Sequence, residues 1–163
     1  MFASAECVLG IGTDAAQARL ASLARDGSLG DASRAAYWSG IRLLMRVTPP
    51  GGLTAMSRLA GIRVLDPVYG AGAMTIGMRW EAIDATGGLF PVLDADMVLS
   101  PEHGRRTRLA LTGCFRAPFG GLDVPLDRTL LQSVAEFTLR SAVASIAASL
   151  EGAAHIASGI RRT

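Results

Sequence analysis

Residues 74–116 read MTIGMRWEAIDATGGLFPVLDADMVLSPEHGRRTRLALTGCFR, and the alternation inside this stretch decides the fold. Met74, Ile76, Met78, Trp80 and Ala82 recur at every second position, with Arg79 and Glu81 between them. Leu93, Ala95, Met97 and Leu99 repeat the pattern around Asp94 and Asp96. Leu109, Leu111, Gly113 and Phe115 repeat it a third time. Turn residues at 84–88 and 101–104 separate the three segments. A period of two, broken by turns, predicts an antiparallel meander over 74–83, 90–99 and 106–116, with one apolar and one charged face.

Beyond the breakers Pro118, Gly120, Gly121 and Pro125 the period lengthens. Leu130, Val134, Phe137, Ser141 and Ser145 follow helical spacing, as do Leu131, Leu139, Val143, Ile146 and Leu150. They predict one long helix over 126–150, its broad apolar surface lying across the sheet. Towards the N-terminus, residues 2–11 read as a strand with Ala3, Ala5, Cys7, Leu9 and Ile11 on one face. Thr13 and Asp14 supply a cap and an acidic first turn for a helix ending near Arg25. A second, short helix over 31–39 carries Tyr37 and Trp38. From Gly40, the alternation of Ile41, Leu43, Met45 and Val47 predicts a strand that Pro49-Pro50-Gly51-Gly52 stops. Residues 53–59 read as a loop with a turn of helix, and 62–65 as a short strand ahead of Tyr69. This order is α+β, a single domain over 1–151 followed by a tail over 152–163.

Composition narrows the function. The chain has 163 residues, of which 50% are hydrophobic and 18% charged, enough for one sizeable core. No apolar run reaches the roughly 18 residues of a membrane span, and Glu6 interrupts the N-terminal apolar run where a signal peptide needs continuity. A cytoplasmic protein without an integral membrane segment is expected. All 16 basic residues are arginine, and the absence of lysine excludes a Schiff base, covalently held pyridoxal phosphate or a P-loop lysine. The densest basic cluster, Arg105-Arg106-Thr107-Arg108, is expected beside Asp94 and Asp96, which argues against nucleic acid as a partner. Cys7, Cys114, His103 and His155 lack metal-ligand spacing, so neither a metal nor a cofactor is expected.

Residues 79–147, RWEAIDATGGLFPVLDADMVLSPEHGRRTRLALTGCFRAPFGGLDVPLDRTLLQSVAEFTLRSAVASIA, carry a resemblance. The tryptophan strand, the FPVLDAD strand, the arginine-proline turn with glycines and the LDRTLL helix start are similar to bacterial members of one superfamily. It is the START-like, helix-grip superfamily of the polyketide cyclase/dehydrase and Bet v 1-like type, called SRPBCC. The resemblance implies a curved antiparallel sheet wrapped around the C-terminal helix, two short helices after the first strand, and an apolar ligand cavity between sheet and helix. It brings no catalytic residue, because the superfamily spans cyclases, lipid carriers, receptors and chaperone cofactors.

Alternation assigns Met45, Met74, Met78, Trp80, Met97, Leu111, Gly113 and Phe115 to the wall of that cavity, with Phe137 and Ser141 facing it from the helix. Gly113 is expected to leave room there. By resemblance, Tyr37, Trp38 and Tyr69 flank the mouth. Gly10-Ile11-Gly12-Thr13-Asp14-Ala15 imitates a dinucleotide fingerprint, but Asp14 puts a carboxylate where a pyrophosphate would lie, so a tight turn and helix cap is the better account. Asp94 and Asp96 read as rungs of a solvated ladder with Arg79, Glu81 and Arg108, on the face away from the cavity. Three functions follow. The first is binding of a small hydrophobic or aromatic, lipid- or polyketide-like molecule by a monomer or homodimer. The second is a polyketide cyclase, aromatase or dehydrase, for which Asp66 and Glu6 are the available pocket carboxylates. The third is a protein-interaction module without a ligand.

Overall fold

The threefold alternation becomes three adjacent strands in the computed structural model, which describes residues 1–47, 60–82, 92–116 and 128–159. They are β4 (Ala73–Ala82), β5 (Val92–Glu102) and β6 (Arg106–Arg116). On their flanks lie β1 (Phe2–Leu9), paired to β6, and β2 (Ala60–Val64), paired to β4. A short β3 (Val68–Gly70) pairs with the start of β4, and all pairings are antiparallel. Among the described residues the sheet runs β1-β6-β5-β4-β2 with β3 beside β4. Tyr69 therefore sits in a strand rather than a loop. The β3–β4 connection is the pair Ala71-Gly72, with φ of 49° and 76°. Positive φ at both positions suits the tight turn that the right-handed strand twist favours, and glycine takes the second at no steric cost.

Residues directly opposite in an antiparallel pair share a face, so the register defines rows across the sheet. One inner row runs Ile62, Trp80, Leu93, Phe115, and the next runs Val64, Met78, Ala95, Gly113, Ala3. One outer row runs Arg63, Arg79, Asp94, Cys114, Phe2. The inner rows are buried on the three central strands, as the alternation requires.

The helical layer departs from the sequence reading. Helix α1 (Thr13–Arg25) lies where expected, with Asp14 in its first turn. Its N-cap, however, is Gly12 with no side-chain cap hydrogen bond, Thr13 already being helical. Residues 40–47 form no strand. They complete α2 (Ser28–Val47), whose buried positions Leu29, Ser33, Ala36-Tyr37 and Gly40-Ile41 recur once per helical turn. The physical reason is propagation: once the helix has nucleated, Arg42, Leu43, Leu44, Met45 and Arg46 are all good helix formers or aliphatic residues that extend it cheaply. Alternation over four apolar positions did not outweigh that.

Helix α3 (Arg128–Gly159) extends through much of the segment set apart as a tail. It packs on β1 and β6, while α2 packs beside it and over β2. The two helices approach closely at Gly40, where a Cβ atom would fall 1.9 Å from Thr138 Oγ1. At the far end, Arg19 donates to the Leu150 carbonyl at 2.7 Å, and the Glu151 carboxylate accepts from the Gly10 amide at 2.8 Å. The fingerprint-like glycine turn is thus closed by the protein's own carboxylate. Strand, two helices, antiparallel strands and a long C-terminal helix on the sheet make an α+β helix-grip arrangement, with the gripped layer doubled by α2.

Candidate functional site

Most of the expected wall residues share the inner face of the central strands. Met74, Met78, Trp80, Met97, Leu111, Gly113 and Phe115 all point to the helices and are buried. Gly113 leaves no room: a Cβ there would lie 2.8 Å from Leu93 Cδ1 and 3.0 Å from Ala95 Cβ. Met45 belongs to α2 rather than to a strand, and its side chain lies outside the described residues. Phe137 faces away, 38% exposed. It stands two positions from the buried Ala135 and Leu139, about 200° round the helix from each. Ser141 is half-buried at the margin of that stripe.

The three mouth candidates separate. Tyr37 is a core residue at 1% exposure, and Trp38 is half-buried against it edge to face, ring centroids 6.0 Å apart. Tyr69 is exposed on β3, far along β4 from Trp80. These positions do not form one rim. Residues 40–47, read as an additional strand, are instead the C-terminal part of α2, which packs beside α3 and over β2.

Polar groups on this interface are sparse. The Ser33 hydroxyl is buried and donates to Met78 Sδ at 3.9 Å, and Thr138 donates to the Val134 carbonyl at 2.8 Å. The Trp80 indole nitrogen is buried with no hydrogen-bond partner among the described residues. Asp66 and Glu6, the candidate pocket carboxylates, are both exposed, and Glu6 pairs with Arg108. Neither serves the interface as an acid or base. Burial of the half-buried Cys7 raises its thiol pKa above the ordinary range, and the Glu151 carboxylate adds to the effect.

The opposite face carries what the sequence reading did not anticipate, a trough of about 500 Å³. Its sides are Phe2, Arg63 and Leu65, and its floor includes Gly77, Asp94, Asp96, Thr112 and Cys114. It lies on the charged face, where Asp94 and Asp96 were expected to stand clear of any pocket. The ladder itself is present. Arg79 reaches Glu81 at 3.1 Å and Asp94 at 3.5 Å, and Arg116 also holds Asp94. Arg108 joins Glu6 instead of the aspartates, because register sets it opposite Ser100 on β5 and Val8 on β1. The signal for the trough was present in the row Ser4, Thr112, Asp96, Gly77, whose side chains are short or absent, but alternation alone does not report side-chain height. Among the described residues no cluster of His, Cys, Asp and Glu has metal-site geometry, and no helix is long and apolar enough to cross a membrane.

No family model matches the chain, and no curated protein matches it. Among solved structures the chain is similar to TTHA0849 from Thermus thermophilus, at 15% identity and a TM-score of 0.42, over 94% of this chain and 99% of that one. It is similar also to the Zhui aromatase/cyclase from Streptomyces sp. R1128, at 14% identity and a TM-score of 0.46, over 96% of this chain and 97% of that one.

Proposed function

We propose that this protein binds a small hydrophobic or aromatic molecule at the interface between the sheet and its two long helices. The observation behind this reading is the softness of the layer there. Met97 on β5 stands opposite Ile76, between Met74 and Met78 on the same face of β4. Trp80 lies two positions beyond Met78, and Phe115 falls in the Trp80 row. Thioether side chains have three rotatable bonds and a polarizable sulfur, so they repack around irregular shapes where branched aliphatics resist. Ser33, the hydroxyl set among them, holds only a long contact to sulfur among the described residues. A guest therefore displaces methionine side chains rather than entering an open hollow. Its affinity comes from apolar burial, at roughly 25 cal/mol per Å² removed from water.

The test is titration of the native protein with N-phenyl-1-naphthylamine, followed by fluorescence and thermal unfolding. Binding stabilises the fold by mass action, about 2.7 kcal/mol at a hundredfold excess over Kd. The double substitution Met78→Ile and Met97→Ile stiffens the layer and weakens the probe several-fold while retaining the fold. A wild-type protein that takes up no probe below its unfolding transition contradicts the proposal.

A further inference from the structure

We infer that Trp80 is the polar contact of this site, and that the bound molecule carries an acceptor oxygen on an otherwise apolar frame. The inference rests on the ligand-binding reading above. Trp80 is 0% exposed, and its indole N–H meets no acceptor among the described residues. That nitrogen donates and never accepts, and a buried tryptophan N–H ordinarily finds a partner. Leaving it unpaired forfeits its hydration without return.

Among the described residues its surroundings offer nothing in exchange. The cross-strand neighbours in register are Ile62 and Leu93, both aliphatic, and Met78 follows two positions away on the same face. The buried Ser33 hydroxyl is directed to the Met78 sulfur. Trp80 also sits near the end of the sheet where β4 stops, β5 starts, β6 stops and α3 starts. A guest lying over this end of the methionine layer brings its oxygen to the one indole donor that the interface leaves unanswered among the described residues. The recognised class is thus an apolar ring or chain with a carbonyl, ether or hydroxyl oxygen, not a bare hydrocarbon.

The experiment compares 2-acetylnaphthalene with 2-ethylnaphthalene, a pair matched in shape and differing in the oxygen. Wild-type protein is expected to bind the ketone about five- to tenfold more tightly, the range of one net neutral hydrogen bond. Trp80→Phe is expected to erase that preference, bringing the two compounds within about twofold of each other, since both lose the same ring contact and only the ketone loses a donor. Should that variant fail to fold, the wild-type Trp80 Nε1–H resonance decides: it moves downfield with the ketone and not with the hydrocarbon. Equal binding of both compounds, or a ketone preference that survives in Trp80→Phe, overturns this inference and leaves the binding site standing. Binding of neither overturns the site and this inference together.

Discussion

On the inner side of β4, Met78 and Trp80 lie beneath two helices with almost no exposure, while Gly77 and Arg79, on the outer side of the same strand, line a trough of about 500 Å³. Neighbouring residues on one strand thus meet opposite conditions. The inner side chains are large and covered; the outer ones are short or paired to each other across strands. The comparison teaches that alternation assigns a residue to a face, whereas the space over that face depends on which element covers it. Here α3 lies over β1 and β6, and α2 lies beside it over β2.

The largest expected effect attacks the covering. Gly40→Leu drives a side chain into Thr138, and about 3 kcal/mol or more of stability should be lost in denaturant unfolding. Because alanine is a better helix former than glycine, Gly40→Ala also serves as a sharp probe. It should destabilise in the wild-type background and recover most of the loss when combined with Thr138→Ala, which removes the hydroxyl that lies 1.9 Å from the new Cβ. If Gly40→Ala stabilises on its own, the two helices are not in close contact at this point.

Next comes the inner row. Gly113→Ala should cost about 1–3 kcal/mol, the range of small overpacking, because its Cβ meets Leu93, Ala95 and the Asp94 carbonyl. Gly113→Phe should prevent folding. A neutral or stabilising Gly113→Ala would place free volume at that point and reverse the comparison between the faces.

The strand region was legible for a simple reason. Its three segments were long enough that a period of two had no rival, and the faces of β4, β5 and β6 follow from it. The helical layer was less legible. The alternation of Ile41, Leu43, Met45 and Val47 spans just four apolar positions, and the helix signal lies upstream, in the 3–4 spacing of Leu29, Ser33, Ala36, Tyr37 and Ile41. On α3 helical spacing offers two apolar series, and burial follows Leu131, Leu139, Val143, Ile146 and Leu150 throughout, but of the other series takes in Val134 and leaves Phe137 outside. For the candidate site, its inner-face members on β4, β5 and β6 were identifiable, but the place of Met45 was not, since it depends on α2. An unpaired indole donor is a property of three-dimensional surroundings that no sequence pattern encodes.

Outer-face changes should be smaller. Asp94→Asn removes contacts to Arg79 and Arg116, and Asp96→Asn removes no ion pair described in the structure. Each should shift stability by less than about 1 kcal/mol, with Asp94 the larger, because exposed pairs are screened by water. A loss several times greater at either position would mean that the trough floor is buried by something that packs on it.

The smallest effect concerns the thiol at the Glu151 end of the interface. Glu151→Gln keeps an acceptor for the Gly10 amide while removing the negative charge that helps raise the Cys7 pKa. More thiolate is then present at a given pH, so alkylation of Cys7 near pH 8 should become modestly faster, although burial still restrains it. An unchanged or slower rate would show that the carboxylate has no electrostatic hold on Cys7.

Chemical-shift mapping with 2-acetylnaphthalene tests most directly which face holds the molecule, using protein labelled at methionine methyls and backbone amides. The account predicts that the Met78 and Met97 methyl signals and the Trp80 indole signal move, while the amides of Gly77 and Thr112 on the outer face stay in place. Movement of Gly77 and Thr112 with unmoved methionine methyls would contradict it and assign binding to the trough.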